Sequence, residues 1–252
     1  IRFVSDIDRL KGQNVVGYLE GTDKKDELVV ITAHYDHLGM RDSAIYHGAD
    51  DDGSGTSAVM ELAKVFSAAK REGHGPRRSI LFMTVSGEEK GLLGSSFYAS
   101  HPLFPLSKTV VDLNIDMIGR TDHKHDSLNV REYVYIIGSD KLSTSLHRIS
   151  ENANATYTKL ELDYTYNNPE DKNRFYYRSD HYNFAKNNIP IIFYFNGTHE
   201  DYHKPTDTID KIDFDLLALR ARLVFFTAWD LANREDRIIV DVKNVFPEKK
   251  KD

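Results

Sequence analysis

The sequence predicts an α/β fold, a mostly parallel sheet with helices packed on it. Three observations carry this. Continuous apolar runs of strand length, at residues 28–34, 79–86, 109–116, 133–138 and 190–195, lack the polar alternation of a one-sided sheet, as expected of strands buried on both faces. Segments with helical character fall between or after them, at 92–100, 141–152, 179–186 and 214–233, giving a repeated strand-to-helix alternation. Finally, 252 residues with 40% hydrophobic content suffice for a sizeable core, so one domain over residues 1–252 is expected.

Taken in order, NVVGYLE (14–20) and LVVITAH (28–34) are β-branched runs separated by the turn-rich GTDKKDE, which reads as two adjacent strands. From Thr56 the period changes: Val59, Leu62, Ala63 and Phe66 recur at i, i+3, i+4 and i+7, with Ser54 placed to cap the helix they predict. The stretch 214–233 is apolar on most sides, which predicts a largely buried helix. The polar stretches 120–127 and 166–178 read as long surface loops. No internal repeat or low-complexity segment is present.

Composition excludes several function classes. Lys and Arg total 33 against 39 Asp and Glu, a net of -6, so no nucleic-acid partner is expected. The one basic cluster, Lys249 to Lys251, reads as a frayed tail. With no cysteine, disulfides and thiolate metal sites are excluded, and any metal must bind through His, Asp and Glu. The longest strongly apolar run, 189–195, falls far short of the ~20 residues of a membrane span, so the chain is not expected to be transmembrane. An isoleucine at position 1 with no leader after it reads as a processed product or an excised domain, leaving room for an export signal upstream.

Ligands bind at the carboxyl ends of strands in open α/β sheets, and here the strand ends carry chemistry. The runs close on His34, Tyr35, Asp36 and His37, on Ser86, Gly87, Glu88 and Glu89, and on Asn114, Ile115 and Asp116. The loop GADDDGSG adds Asp50, Asp51 and Asp52, and EDYHKPTDT (200–208) adds further acidic and imidazole groups. Each piece has an ordinary reading: a strand-end His as a satisfied structural group, Glu88 and Glu89 as a helix start, the three aspartates as a turn or cap. Five segments delivering such groups to one sheet edge are another matter, because the crowded charge costs free energy unless cations neutralise it.

In order, HYDHLG, GADDDGSGTSAVMELA, SGEEKGLLGS, NIDMIG, SDHYNFAKNNIP and HKPTDT closely resemble the two-zinc aminopeptidases of clan MH, relatives of bacterial leucyl aminopeptidase, the glutamate carboxypeptidases and the glutaminyl cyclases. The resemblance runs from about residue 14 to 233. It implies a three-layer α/β/α sandwich with a mixed central sheet and a catalytic zinc-peptidase domain. In it His34 and Asp116 would hold one Zn2+, Glu89 and His203 a second, and Asp51 would bridge both, with Asp50 the competing assignment. A cis peptide between Asp51 and Asp52 goes with this pattern. Co2+ or Mn2+ are possible substitutes. All five ligand positions and the base are matched.

The implied activity is exopeptidase action, most simply removal of N-terminal residues from peptides with a free N-terminus. The resemblance implies that a metal-bridging hydroxide would be the attacking group, with Glu88 as general base. Asp36 matches a carboxylate that orients the His34 imidazole. Tyr202 could donate its hydroxyl to the tetrahedral intermediate, or simply be a rim aromatic. Asp180 and His181 read as supports of the site or its rim. The remaining histidines, at 37, 47, 74, 101, 123, 125, 147 and 199, read as ordinary. Met117, Ile118 and residues 174–177 are the candidates for a side-chain pocket. A carboxypeptidase is the alternative, with Arg174, Arg178 or Lys204 as the carboxylate anchor, and a single-zinc glutaminyl cyclase the next. The resemblance also implies export, to the periplasm, the medium or a lipid anchor on the cell surface, with a protease-associated domain upstream in some relatives. Asn154 and Asn196 lie in glycosylation sequons, relevant only to a eukaryotic secretory source. Oligomeric state is not legible.

Overall fold

A computed structural model describes residues 11–245. In chain order the elements are strands β1 (Val15–Leu19), β2 (Lys24–His34), β3 (Gly39–Arg41) and β4 (Ala44–Tyr46), helix α1 (Gly53–Arg71), β5 (Arg78–Val85), α2 (Leu93–Ser100), β6 (Thr109–Ile115), α3 (His123–Ser127), β7 (Tyr133–Ile137), α4 (Thr144–Ala153), β8 (Glu161–Asp163), α5 (His181–Ala185), β9 (Ile191–Phe195) and α6 (Phe214–Asn233). Seven strands form one sheet in the order β1-β5-β2-β6-β9-β7-β8, while β3 and β4 make a small hairpin. The four central strands β5, β2, β6 and β9 run parallel; β1 and β7 are antiparallel to their neighbours β5 and β9.

Because β2 is buried on both sides, its alternate residues serve two cores. Val29, Ile31 and Ala33 pack with Val59, Leu62 and Phe66 of α1, Leu146 and Ile149 of α4, and Leu223, Val224 and Leu231 of α6. On the other face Val30 packs with Leu81 and Met83 of β5, Tyr98 of α2 and Phe184 of α5. The result is the expected three-layer arrangement, and all four parallel strands point their carboxyl ends to one edge. Among the described residues no helix is long and apolar enough to cross a membrane.

Several local expectations are corrected. β1 and β2 are not adjacent: β5 lies between them, because the turn after β1 hooks over the start of β5, with Gly21 N donating to Ser79 Oγ at 2.9 Å and Thr22 N to Arg77 O at 2.9 Å. Gly21 permits this close approach, since a Cβ there would lie 2.3 Å from Arg77 O. The cap of α1 is Asp52, whose carboxylate accepts Gly55 N at 2.9 Å; Ser54 is buried in the first turn and donates to Asp50 O instead. Residues 120–127 are not a surface loop, since they contain α3 and the buried pair Asp122 and His125, joined at 2.7 Å. Residues 166–178 likewise bury Phe175 and Tyr176 in the second core. Helix α6 buries one face; Phe214, Asp215, Ala218, Arg222 and Asp230 are exposed. Residues Lys249 to Lys251 and Ile1 lie outside the described residues.

Candidate metal centre

The site is assembled from the carboxyl ends of the parallel strands. β2 ends at buried His34, whose Nδ1 donates to Asp36 O at 2.9 Å, so Nε2 is the nitrogen that faces the site. Nε2 lies 3.2 Å from Asp51 Oδ1 and 3.7 Å from Asp116 Oδ1. Asp116 directly follows β6. The turn after β5 supplies Glu88 and Glu89, and the loop after β9 supplies His203, whose Nε2 is 3.1 Å from Asp51 Oδ2 and 3.4 Å from Glu89 Oε1. The Asp51 carboxylate therefore presents one oxygen to each imidazole, and the five side chains gather about a common point.

The acidic loop divides its three carboxylates by function. Asp50 turns away: its Oδ1 accepts Gly119 N at 2.7 Å and its Oδ2 faces His199 Nε2 at 3.1 Å, both groups fully buried. Asp52 is consumed by the backbone, accepting His34 N, Gly55 N and Met117 N at 2.9 to 3.1 Å, which ties β2, α1 and the end of β6 together. Asp51 alone points at the imidazoles. The peptide between Asp51 and Asp52 is cis. Asp207 holds the loop from outside, accepting Asp50 N at 3.1 Å and Asp51 N at 3.2 Å.

The electrostatics state the need for cations. Burial alone would keep the His34 ring neutral, yet Asp116 and Asp51 outweigh it and raise its pKa well above the ordinary value. His203 is raised to about 10 by its hydrogen bonds to Asp51 and Glu89. Burial raises Asp51, but His203 and His34 overcome it and hold the carboxyl below the usual range. Glu89 follows the same pattern, held at about 2 as His203 and His37 outweigh burial. Protonated imidazoles thus perform for this cluster what divalent ions would. The donor set fits such ions: buried His34 Nε2 faces Asp51 and Asp116, buried Glu89 Oε1 faces His37 and His203, and nitrogen and oxygen donors without thiolate suit zinc.

Glu88 lines the pocket beside this cluster without joining the imidazole contacts, and its carboxyl is pushed up to about 9, first by burial and then by the Asp116 charge. Asp36 behaves differently from the expected imidazole orienter. Its backbone carbonyl takes the His34 Nδ1 proton, while its carboxylate, 3.8 Å from that nitrogen, accepts Glu88 N at 3.1 Å and Glu89 N at 3.4 Å. Tyr202 lines the pocket with its ring stacked on His203 and its hydroxyl 3.3 Å from Arg178 Nη2. Met117, Phe175, Phe193 and Phe195 form the apolar wall. Ile118 is instead buried on the α1 side of the sheet, and Arg174 stacks on Tyr177, away from the pocket. Asp180 and His181 are fully buried supports: Asp180 accepts the Ser95 hydroxyl, and His181 Nε2 donates to Tyr176 O at 2.8 Å.

Two groups in the site were not singled out by the sequence. His37, read as ordinary, has Nδ1 at 2.9 Å from Glu89 Oε1 and 3.9 Å from Asp51 Oδ2. Gly48, at φ 61°, leaves room for it, since a Cβ there would lie 2.5 Å from His37 Cγ. Ser179 donates to Asp116 Oδ2 at 2.6 Å. His37 sits three residues after His34 within the same strand-end motif, and that proximity was the available signal.

A three-layer α/β fold whose sheet edge gathers carboxylates and imidazoles in this way presents a donor set suited to divalent metal ions. The chain belongs to peptidase family M28, whose family model matches residues 14–228. It is 32% identical over 216 residues to a probable leucine aminopeptidase of Arthroderma otae, covering 83% of this chain and 55% of that protein. It is 28% identical over 233 residues to aminopeptidase YwaD of Bacillus subtilis, covering 89% and 46%. Among solved structures, the LapA aminopeptidase of Legionella pneumophila superposes with a TM-score of 0.71 at 26% identity, over 88% of this chain and 56% of that one. The zinc aminopeptidase BSAP of Bacillus subtilis does so at 0.68 and 25%, over 91% and 53%. The chain spans about half the length of the curated relatives it matches.

Proposed function

We propose that this chain is a zinc-dependent aminopeptidase that uses two zinc ions, one held by His34 and Asp116, the other by Glu89 and His203, with Asp51 shared. The observation that carries the reading is the Asp51 carboxylate, one oxygen 3.2 Å from the His34 ring and the other 3.1 Å from that of His203. When bound, such a pair supplies Lewis acidity and a water whose pKa approaches neutrality. Glu88, buried beside the cluster, takes the proton from the attacking water and passes it to the departing amine. The acidic lining of Asp51, Glu88 and Asp116 suits a substrate with a free α-amine, and the apolar wall of Met117, Phe175, Phe193 and Phe195 receives its side chain. Tyr202 is placed to donate to the oxyanion.

One observation favours a second reading. Arg178 is, among the described residues, the guanidinium that lines the same pocket, and it could anchor a substrate carboxylate as in a carboxypeptidase. Amino-free and amino-blocked peptides separate the two. The test of the main reading uses aminoacyl amides and dipeptides with chelated, zinc-restored and Glu88→Gln protein. Chelation should abolish turnover and zinc restore it. Glu88→Gln should keep its zinc and lose roughly 10²- to 10⁴-fold in kcat. Activity indifferent to chelation would overturn the reading, and full activity in Glu88→Gln would remove Glu88 from its role.

A further inference from the structure

We propose that Asp112, a carboxyl group on β6 remote from the metal-site side chains, is a neutral acid that sets the direction of a hydrogen-bond relay positioning Asp116. This rests on the reading of Asp116 as an ionised metal ligand.

The relay runs through side chains that share one face of the sheet. Asp112 Oδ1 is 2.9 Å from Thr32 Oγ1, which is 2.8 Å from Asn114 Oδ1; Asn114 Nδ2 is 2.9 Å from Ser179 Oγ, which is 2.6 Å from Asp116 Oδ2. Thr32 and Asn114 are register partners on β2 and β6, and residues 112, 114 and 116 follow the two-residue strand period. Thr32, Asp112 and Asn114 are fully buried and Ser179 nearly so, which leaves no room for solvent to relax the pattern.

Counting protons fixes its polarity. Ionised Asp116 can only accept, so the single hydroxyl proton of Ser179 goes to it. Ser179 must then accept from the Asn114 amide nitrogen, which turns the amide oxygen toward Thr32. Thr32 gives its one proton to that oxygen and has none left for Asp112. Two oxygens 2.9 Å apart need a proton between them, so it resides on Asp112. Reversing the Asn114 amide fails at the other end, since Ser179 would donate to Asn114 and leave its oxygen against the Asp116 carboxylate at 2.6 Å. The charge states at the two ends are therefore linked, anionic at Asp116 and neutral at Asp112.

The surroundings of Asp112 agree. Among the described residues, the groups facing it besides Thr32 are the Asp180 carboxyl and the Tyr98 phenol, with no cation. Its Oδ2 is buried without a hydrogen bond, tolerable for a neutral acid and costly for a carboxylate. Burial accordingly raises it well above the ordinary carboxyl value. At the far end, the Ser179 bond fixes Asp116 Oδ2 and leaves Oδ1 as the oxygen turned to His34. Such linked bonds strengthen one another in a dry interior.

The experiment uses zinc-loaded full chain at pH 8. Difference infrared spectra of wild type against Asp112→Asn should show the carbonyl stretch of a protonated carboxylic acid in wild type and its loss in the variant. In zinc titrations against a competing chelator, Ser179→Ala and Thr32→Val should each weaken one zinc by about 10- to 100-fold. Thr32→Ser, which keeps the hydroxyl, should restore it. A wild type that binds zinc but lacks the band overturns the relay, as does wild-type affinity in both Ser179→Ala and Thr32→Val. A wild type that binds no zinc overturns the metal-centre reading itself. The infrared comparison holds even if a titration variant fails to fold.

Discussion

The Asp36 carboxylate accepts the backbone amide of Glu88 at 3.1 Å, bridging the end of β2 to the turn after β5. Since Glu89 N also leans on it at 3.4 Å, one side chain places both the candidate base and a candidate ligand. Asp36→Ala should therefore weaken the zinc held by Glu89 by about 10- to 100-fold and cost about 2 kcal/mol of stability. The zinc held by His34 should be spared, because the His34 ring is oriented by the Asp36 carbonyl, which the substitution keeps. Asp36→Asn, with one acceptor oxygen left, should fall between. Stepwise zinc titration checks this; equal loss at both metals would refute the division.

Asp50 and Asp51 are neighbours with opposite assignments, and substitutions should separate them. Asp51→Ala removes the carboxylate that reaches both the His34 and His203 imidazoles, so bound zinc should fall well below that of wild type. Asp50→Ala should keep its zinc but leave Gly119 N and His199 Nε2 buried without the carboxylate that meets them, costing about 3 kcal/mol and lowering Tm by roughly 10 °C. Metal analysis and thermal melts read the two effects. The reverse pattern would make Asp50 the shared ligand.

His37 meets Glu89 Oε1 at 2.9 Å, and in doing so it fixes the oxygen that also faces His203. His37→Ala should lower affinity for that zinc by about tenfold while His37→Gln, which retains a donor, loses less. Competition with a chelator measures it. An affinity unchanged in His37→Ala would return His37 to the ordinary histidines.

What could be read from sequence followed from periodicity and from polar residues at strand ends. The continuous apolar runs gave β2, β5, β6 and β9, and the stretch apolar on most sides gave α6 at its observed bounds. His34, Glu89 and Asp116 were visible because a buried run that stops on a charged group is costly without a purpose. Long-range partnership was less legible. Nothing in NVVGYLE says that β1 pairs with a strand some sixty residues away, and both Asp52 and Ser54 have the chemistry of a helix cap. His37 and His203 look alike in sequence, and their places are set by where two loops meet in space. The relay from Asp112 joins side chains from three segments, which no local pattern reports.

His181 ties pH to stability. Its ring is fully buried, stacked on Phe193, and donates from Nε2 to Tyr176 O, so it holds the turn that carries Phe175 to the pocket wall. Burial lowers its pKa to about 3, only partly offset by the Tyr176 carbonyl. The folded ring thus binds fewer protons than the unfolded one, whose pKa is near 6.5. Its contribution is present above pH 6.5 and drains as pH falls toward 3, by about 2 kcal/mol between pH 7 and pH 5. Asp180, pushed up to about 7 by burial, has the opposite sign, because its folded form binds more protons than the unfolded one through this range. The raw curve therefore mixes both. The difference between wild type and His181→Gln, measured by urea unfolding of chelated protein, isolates the imidazole: Gln keeps a donor for Tyr176 O and cannot ionise, so its stability should fall about 2 kcal/mol less than that of wild type from pH 7 to pH 5. Parallel curves would mean that the ring is already solvated or protonated in the fold.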